Sequence, residues 1–245
     1  MIISAVILVT VFATSILSGV LGMAGGMILM AVLVTTVSVA SAMMIHGAVQ
    51  ATANGSRAWF LRKDIQWRIL PPYLIGALLA LGAFTALALI PDANLILIVV
   101  GVFPFLARAT PHLRGLDVSK TPVAVGCGVV VTSAQLLAGV SGPLLDVFYL
   151  NSTLNRFQII ASKALTQTLG HLLKLVYYGV IIGVTEDIAA GFYLLAMAIA
   201  VMGTRLGTRL LEKVHDDHFR KVSGYVILTI AAICVIKGVS GYLAL

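Results

Sequence analysis

The chain has 245 residues, of which 60% are hydrophobic and only 10% are charged. Its first 45 positions contain no Asp, Glu, Lys, Arg or His. Soluble domains carry about 25% charged residues, so this composition argues for an integral membrane protein without a soluble domain. The two cysteines, Cys127 and Cys234, lie in apolar segments without metal-ligand spacing, which argues against a disulfide framework and a zinc site.

Stretches poor in charge follow one another along the chain, and several reach the ~20 residues needed to cross ~30 Å of hydrocarbon. They lie near residues 1–21, 27–45, 69–91, 93–107, 121–145, 164–173, 188–204 and 222–236. The stretch at 164–173 is short by itself, but the apolar sequence continues on both sides of it. Together they predict an all-α polytopic membrane protein with about eight to ten membrane segments.

The net charge of +7 is concentrated in loops. Twelve of the sixteen Lys and Arg residues fall within residues 57–68, 108–120 and 205–221. The positive-inside rule makes these three loops cytoplasmic. The loops around Asp92 and Glu186 carry no cation, so we expect them on the other side. The basic charge therefore indicates membrane topology, and we expect no nucleic-acid partner.

A glycine-rich break occurs twice, and each copy is followed by a Gln inside an apolar run. The first copy is Gly22–Gly26 with Gln50, and the second is Gly139–Pro143 with Gln167. The offset between the copies is 117 residues. Two broken segments in corresponding positions are typical of transporters built from internal repeats.

The two repeats, residues 1–117 and 118–245, are predicted to have opposite orientations. The loop after the Gln helix is basic in the first repeat and acidic in the second. An inverted repeat explains this reversal, and counting membrane crossings then places both chain termini on the non-cytoplasmic side.

Each break is predicted to form a re-entrant or broken helical hairpin, and both alternatives stay open at this point. Unpaired backbone groups are costly in lipid, so the breaks should face the protein's centre. Pro143 suits the first turn of a helix that starts after the second break. The N–H groups of such a helix end attract anions.

Polar residues form one stripe on each Gln helix. The stripes, spaced by three or four residues, are His46, Gln50, Asn54 and Arg57 in the first repeat and Lys163, Gln167, His171 and Lys174 in the second. These spacings place each stripe on one helical face. Polar residues inside a membrane usually mark a functional site.

The ionisable residues of the second repeat allow several interpretations. Lys163 either supplies charge to a ligand or snorkels to the cytoplasmic surface. Asp146 pairs with Lys163 as a structural ion pair, binds and releases a proton, or lies near the cytoplasmic mouth. Arg57 and Lys174 end their stripes just before loops, which favours positions near the two membrane surfaces. Four aromatic residues close to them are interpreted as interfacial anchors: Trp59, Trp67, Tyr177 and Tyr178.

An enzyme is a weaker alternative. The sequence from Gly139 to Gly142 has the G-x-S-G pattern of rhomboid intramembrane proteases, with Ser141 as nucleophile and His171 as base. The repeat counterpart of Ser141 is Ala24, so a small residue in a tight turn is the simpler explanation. We therefore expect no catalytic residue, no metal and no cofactor.

The two glycine motifs resemble those of the TauE/SafE family of anion exporters. They read S-G-V-L-G-M-A-G-G-M-I-L at Ser18–Leu29 and L-A-G-V-S-G-P-L-L at Leu137–Leu145. The resemblance covers essentially the whole chain. It implies a secondary transporter in the cytoplasmic (inner) membrane, most simply an exporter of sulfite or of an organosulfonate such as sulfoacetate. Ala24 replaces a glycine of the family signature and Asp146 replaces an apolar residue, so the substrate can differ.

These observations predict one anion site between the two breaks, near the bilayer midplane, with alternating access and an anion channel as the alternative. The expected binding residues are Gly25, Gly26, Gln50, Asn54, Ser141, Gly142, Lys163, Gln167 and His171. A proton-coupled mechanism would use His46, Asp146 or His171. The expected partners are a small anion and the lipid bilayer, and a homodimer is left open.

Overall fold

The computed structural model describes residues 2–21, 24–109, 116–183, 188–211 and 216–244. These ranges contain ten α-helices and no β-strand. The helices are Ile2–Leu21 (α1), Ala24–Thr36 (α2), Val39–Phe60 (α3), Leu70–Leu87 (α4), Ala93–Ala109 (α5), Thr121–Ala138 (α6), Gly142–Tyr149 (α7), Arg156–Val176 (α8), Ala190–Leu211 (α9) and Asp216–Leu243 (α10). A π-helical turn, Tyr177–Ile181, continues α8. The predicted all-α fold is confirmed.

Four of the described helical segments are long and apolar enough to cross a membrane: Ile2–Val20, Trp67–Leu87, Thr121–Ala138 and Ala190–Leu210. Large apolar side chains on these helices point outward; Leu79 on α4 is 61% exposed and Leu194 on α9 is 65% exposed. Apolar surface of this extent would be unfavourable in water and is favourable against lipid. The chain is therefore a multi-pass membrane protein.

The membrane helices pack in pairs that cross the two halves of the chain. α1 packs against α9, α4 against α6, α5 against α10, and α3 against α8. Glycines permit the close approach, because a methyl group on Gly76 would collide with the Val125 carbonyl and one on Gly207 with the Ile16 carbonyl. Small residues at helix crossings are a usual means of association in membranes, where lipid competes for every apolar contact.

Helix boundaries recur at the spacing found in the sequence. α1 ends at residue 21 and α6 at residue 138, while α3 begins at residue 39 and α8 at residue 156, so both pairs are 117 residues apart. The N-caps are equivalent as well, since Ser38 accepts from the Ser41 N–H and Asn155 from the Gln158 N–H. The division at residue 117 stays a prediction.

The equivalent helices α3 and α8 run antiparallel. His46 and Gly47, near the start of α3, lie beside Lys174 near the end of α8, whereas Gly55 lies beside Thr168. An inverted repeat requires this relation when its equivalent helices pack against each other. The orientation of the halves in a bilayer and the side on which the termini lie stay predictions.

Both breaks separate a long helix from a short one. α6 ends at Ala138, and its C-cap Gly139 has a φ of +74°, which is accessible to glycine at little cost. α7 begins at Gly142 with Pro143 in its first turn. In the first copy Gly22 lies outside the described residues, and α2 begins at Ala24. At ~1.5 Å per residue, α2 is ~20 Å long and α7 is ~12 Å long, so neither spans ~30 Å of hydrocarbon.

Candidate functional site

α3 and α8 bring the two polar stripes together in the protein interior. His46, Gln50 and Asn54 on α3 are buried, as are His171 and Lys174 on α8. Each stripe occupies one helical face because its members are three or four residues apart. The antiparallel packing turns these faces toward each other, which places polar groups where a membrane protein otherwise packs apolar ones.

A small cavity of about 20 Å³ lies where the two stripes meet the two breaks. This is room for about one or two water molecules. Seven of the predicted binding residues line it: Gly26, Gln50, Asn54, Ser141, Gly142, Gln167 and His171. The predicted coupling residue His46 also lines it, together with Ser18, Met27 and Val140, so both halves of the chain form its wall.

Two predicted binding residues do not border this cavity. Gly25 packs against α1, where a methyl group would collide with the Thr14 carbonyl. Lys163 forms an ion pair with Asp146, and their side chains are 18% and 15% exposed. Of the alternatives that the sequence left open for Asp146 and Lys163, the structure shows the ion pair. The expectation that Lys163 supplies charge to the cavity is revised, because its ammonium is already neutralised by a carboxylate.

Lys174 takes the interior position that the sequence had suggested for Lys163. It is 0% exposed, and its Nζ lies 2.9 Å from Nδ1 of His46 and 3.2 Å from the Gly139 carbonyl oxygen. The predicted position near a membrane surface was wrong because the π-helical turn extends the helix to Ile181, well beyond Lys174. The sequence did contain one indication of this burial, because Lys174 lies three residues after His171 and therefore on the same helical face.

The same extension buries two residues that were expected to be interfacial anchors. Tyr177 and Tyr178 are both fully buried, and their hydroxyls donate to the carbonyls of Leu89 and Leu136 at 2.8 Å. Trp59 and Trp67 are 66% and 59% exposed, as interfacial residues would be. Arg57 is half-buried and donates to the Ser18 carbonyl at 2.9 Å, in the last turn of α1.

The hydrogen bonds of His46 assign its tautomer. Nε2 lies 2.9 Å from the Gly26 carbonyl oxygen, which only accepts, so Nε2 carries the proton. Nδ1 then accepts a hydrogen bond from Nζ of Lys174. The His171 ring lies 5.4 Å from the His46 ring, and its buried Nδ1 has no hydrogen-bond partner in the protein. The two histidines thus form a polar contact between the cavity and Lys174.

Gln50 is oriented by its own helix. Nδ2 of Asn54 donates to Oε1 of Gln50 at 3.4 Å, and Nε2 of Gln50 lies close to Gly26 on the cavity wall. This arrangement occupies the amide carbonyl within the protein and leaves the amide N–H groups on the side of the cavity. An amide donor of this kind binds an anion without placing another full charge in the membrane.

Sequence reasoning missed Gln135, which is fully buried at the end of α6. Its Oε1 accepts a hydrogen bond from the Ser141 hydroxyl at 2.8 Å, and its Nε2 has no partner in the protein. The sequence signal was its repeat counterpart, Ser18, which also lines the cavity. Because Ser141 donates to Gln135 and not to His171, the structure does not present the nucleophile–base pair of a serine hydrolase.

The helix ends add backbone donors to this site. Gly26 lies in the first turn of α2 and Gly142 begins α7. First-turn N–H groups have no partner within their helix and carry the positive end of the helix dipole. Two helix N-termini, neutral amides and a buried cation behind the histidines together suit a small anion.

Comparison with known proteins gives one match. A family model described as "Sulfite exporter TauE/SafE" matches residues 6–233, nearly the whole chain. No curated protein and no solved structure matches the chain significantly.

Proposed function

This chain belongs to the sulfite exporter TauE/SafE family, and from that premise we propose that it is a secondary transporter of a small anion, most simply sulfite or an organosulfonate such as sulfoacetate. The membrane is proposed to be the cytoplasmic one. The family supplies the substrate class, and the character of the central cavity supports it.

The observation that carries the proposal is the shared wall of the cavity. Gln50 and Gln167, which occupy equivalent repeat positions, both line it, and so do Gly26 and Gly142 from the two short helices. Sulfonate and sulfite present several oxygen acceptors around one centre. Donors arriving from opposite sides satisfy such an anion in a way that donors on one face do not.

Alternating access is proposed to arise from movement of one repeat against the other around this fixed site. The cavity lies between α3 and α8, which belong to different halves of the chain. A small relative rotation of the halves would therefore change its access without dismantling either stripe. The direction of transport is proposed to be export.

Substrate class is tested by a thermal-shift screen of the purified protein. The panel contains sulfite, sulfate, sulfoacetate, taurine and simple carboxylates. A ligand that binds the native state raises the melting temperature as its concentration exceeds the dissociation constant. We expect stabilisation by sulfite or sulfoacetate above that by carboxylates. Stabilisation by carboxylates alone would contradict the substrate class.

The site is tested by the variants Gln50→Ala and Gln167→Ala. Each removes a donor to a charged ligand, and such hydrogen bonds contribute about 1.5–3 kcal/mol, so we expect anion affinity to fall by about tenfold or more. Thr52→Ala is the matched control, because the Thr52 hydroxyl donates to Ala48 within its own helix. Unchanged affinity in both glutamine variants would contradict this site.

A further inference from the structure

Lys174 is a buried cation without a carboxylate partner in the described part of the chain. Its Nζ contacts one imidazole nitrogen and one carbonyl oxygen. The acid on the neighbouring helix α7, Asp146, is paired with Lys163, about 16 Å from Lys174 along α8. Burying an uncompensated charge costs several kcal/mol, so the cluster around Lys174 requires either a counter-ion or loss of its proton.

Titratable groups lie on several of the elements packed around α8. Asp64 lies in the turn after α3, close in sequence to Gln66, whose N–H donates to Ser162 near the opposite end of α8. Tyrosine hydroxyls on α4 and in the π-helical turn donate to backbone carbonyls. The remaining groups are Arg57, Arg62, Lys63, Cys127 and Tyr149. Among all of these, His46 contacts Lys174, and His171 lies one turn away on the same helix.

Lys174 and His46 can hold one proton between their facing nitrogens. With Nε2 of His46 bound to the Gly26 carbonyl, Nδ1 is the lone pair that receives the Lys174 proton. A second proton on this pair would set two donors against each other at 2.9 Å. When protonated, the pair is therefore either an ammonium donating to imidazole or an imidazolium donating to an amine. The His171 ring, whose Nδ1 has no hydrogen-bond partner, lies 5.4 Å from the His46 ring.

We propose that Lys174, His46 and His171 form one protonatable site behind the cavity, and that its positive charge is the counter-ion of the transported anion. This inference rests on the proposed function. His46 and His171 border the cavity, while Lys174 acts through His46 as a positioning residue. A bound anion stabilises the protonated cluster, and by linkage the protonated cluster binds the anion more tightly. Anion affinity therefore falls as the pH rises through the titration of the cluster.

Calorimetric titration of the full-length protein tests this linkage. The probe is sulfoacetate, or sulfate if the wild type binds it better, since neither anion changes protonation between about pH 6 and pH 9. Sulfite is unsuitable because it titrates in this range. Measurements in buffers of different ionisation enthalpy count the protons taken up. We expect up to about one proton per anion and an affinity that weakens with increasing pH.

Variants of Lys174 separate charge from proton exchange. Lys174→Met should weaken anion affinity by roughly 5- to 150-fold at low pH and flatten its pH profile. Lys174→Arg keeps a charge that does not dissociate, so its profile should also flatten while the affinity persists at high pH. Lys237→Met is the matched control, because Lys237 is an exposed cation on α10. A melting curve for each variant reports whether it folds.

The outcomes distinguish this inference from the proposed function. A wild-type protein that binds the anion with no pH dependence and no proton uptake would overturn the inference alone. So would a folded Lys174→Met variant that keeps the wild-type profile. If neither Lys174 variant folds, the wild-type proton count decides. A wild-type protein that binds no anion of the screen would overturn both the proposed function and the inference.

Discussion

Two lysines on α8 show how the environment of a residue decides its role. Lys163 and Lys174 lie on the same polar stripe, yet Lys163 is paired with Asp146 and partly exposed, whereas Lys174 is fully buried against His46. A stripe with helical spacing identifies both residues as inward-facing. The spacing does not indicate which lysine pairs with Asp146, because that depends on the position of α7 beside α8.

The ion pair of Asp146 and Lys163 should be separable from anion binding. We expect Asp146→Leu and Lys163→Met each to lower the free energy of unfolding by about 1–3 kcal/mol, since each leaves a partly buried charge unpaired. The double variant should lose less than the sum, because both charges are then removed. Denaturant unfolding of the three variants measures the coupling. A folded double variant without anion affinity would contradict the placement of Lys163 outside the site.

At the scale of the helices, the close crossings depend on glycines that are not interchangeable. Gly207 on α9 meets the Ile16 carbonyl of α1, whereas a methyl group on Gly82 of α4 would meet no atom within 4 Å. Their packing differs because Gly207 faces a partner helix and Gly82 does not.

The two glycines therefore give a matched pair of substitutions. Gly207→Ala should destabilise the protein by about 1–3 kcal/mol, because its methyl group displaces a backbone carbonyl that cannot move independently. Gly82→Ala should be neutral or slightly stabilising, because alanine is the better helix former. Thermal unfolding in one detergent compares them. Equal melting temperatures for the two variants would contradict the α1–α9 crossing.

Helix ends show which local features the sequence specifies. The break at Gly139 and the start of α7 around Pro143 follow from residues with strong backbone preferences, and both were predicted. The π-helical turn at Tyr177–Ile181 has no comparable marker. Its presence depends on tertiary contacts, including the hydroxyl bonds of Tyr177 and Tyr178. The burial of Lys174 was missed for the same reason.

At the scale of the whole molecule, three features agree with the inverted repeat, which itself stays a prediction. The helix boundaries recur 117 residues apart, α1 packs on α9 as α6 packs on α4, and the equivalent helices α3 and α8 are antiparallel. The recurrence of the break and of the Gln helix was predictable from the duplicated motifs. The positions of Gln135 and Lys174 were not, since each depends on contacts between segments distant in the chain.

Membrane orientation is tested by cysteine accessibility in a variant that lacks Cys127 and Cys234. Lys63→Cys and Ser119→Cys replace exposed residues in two basic loops, and Ile90→Cys replaces an exposed residue between α4 and α5. We expect an impermeant thiol reagent to label Ile90→Cys in intact cells, while the other two react only after permeabilisation. Labelling of Lys63→Cys and Ile90→Cys from the same side would contradict the predicted topology.

Counterflow of radiolabelled sulfite or sulfoacetate in proteoliposomes tests most directly whether the cavity between the two breaks carries an anion. Vesicles preloaded with unlabelled anion should accumulate the labelled anion transiently, with a rate that saturates. The double variant Gln50→Ala/Gln167→Ala should abolish this accumulation, while Thr52→Ala should retain it. Absence of counterflow in the wild type, an unsaturating conductance, or undiminished counterflow in the double variant would contradict the account.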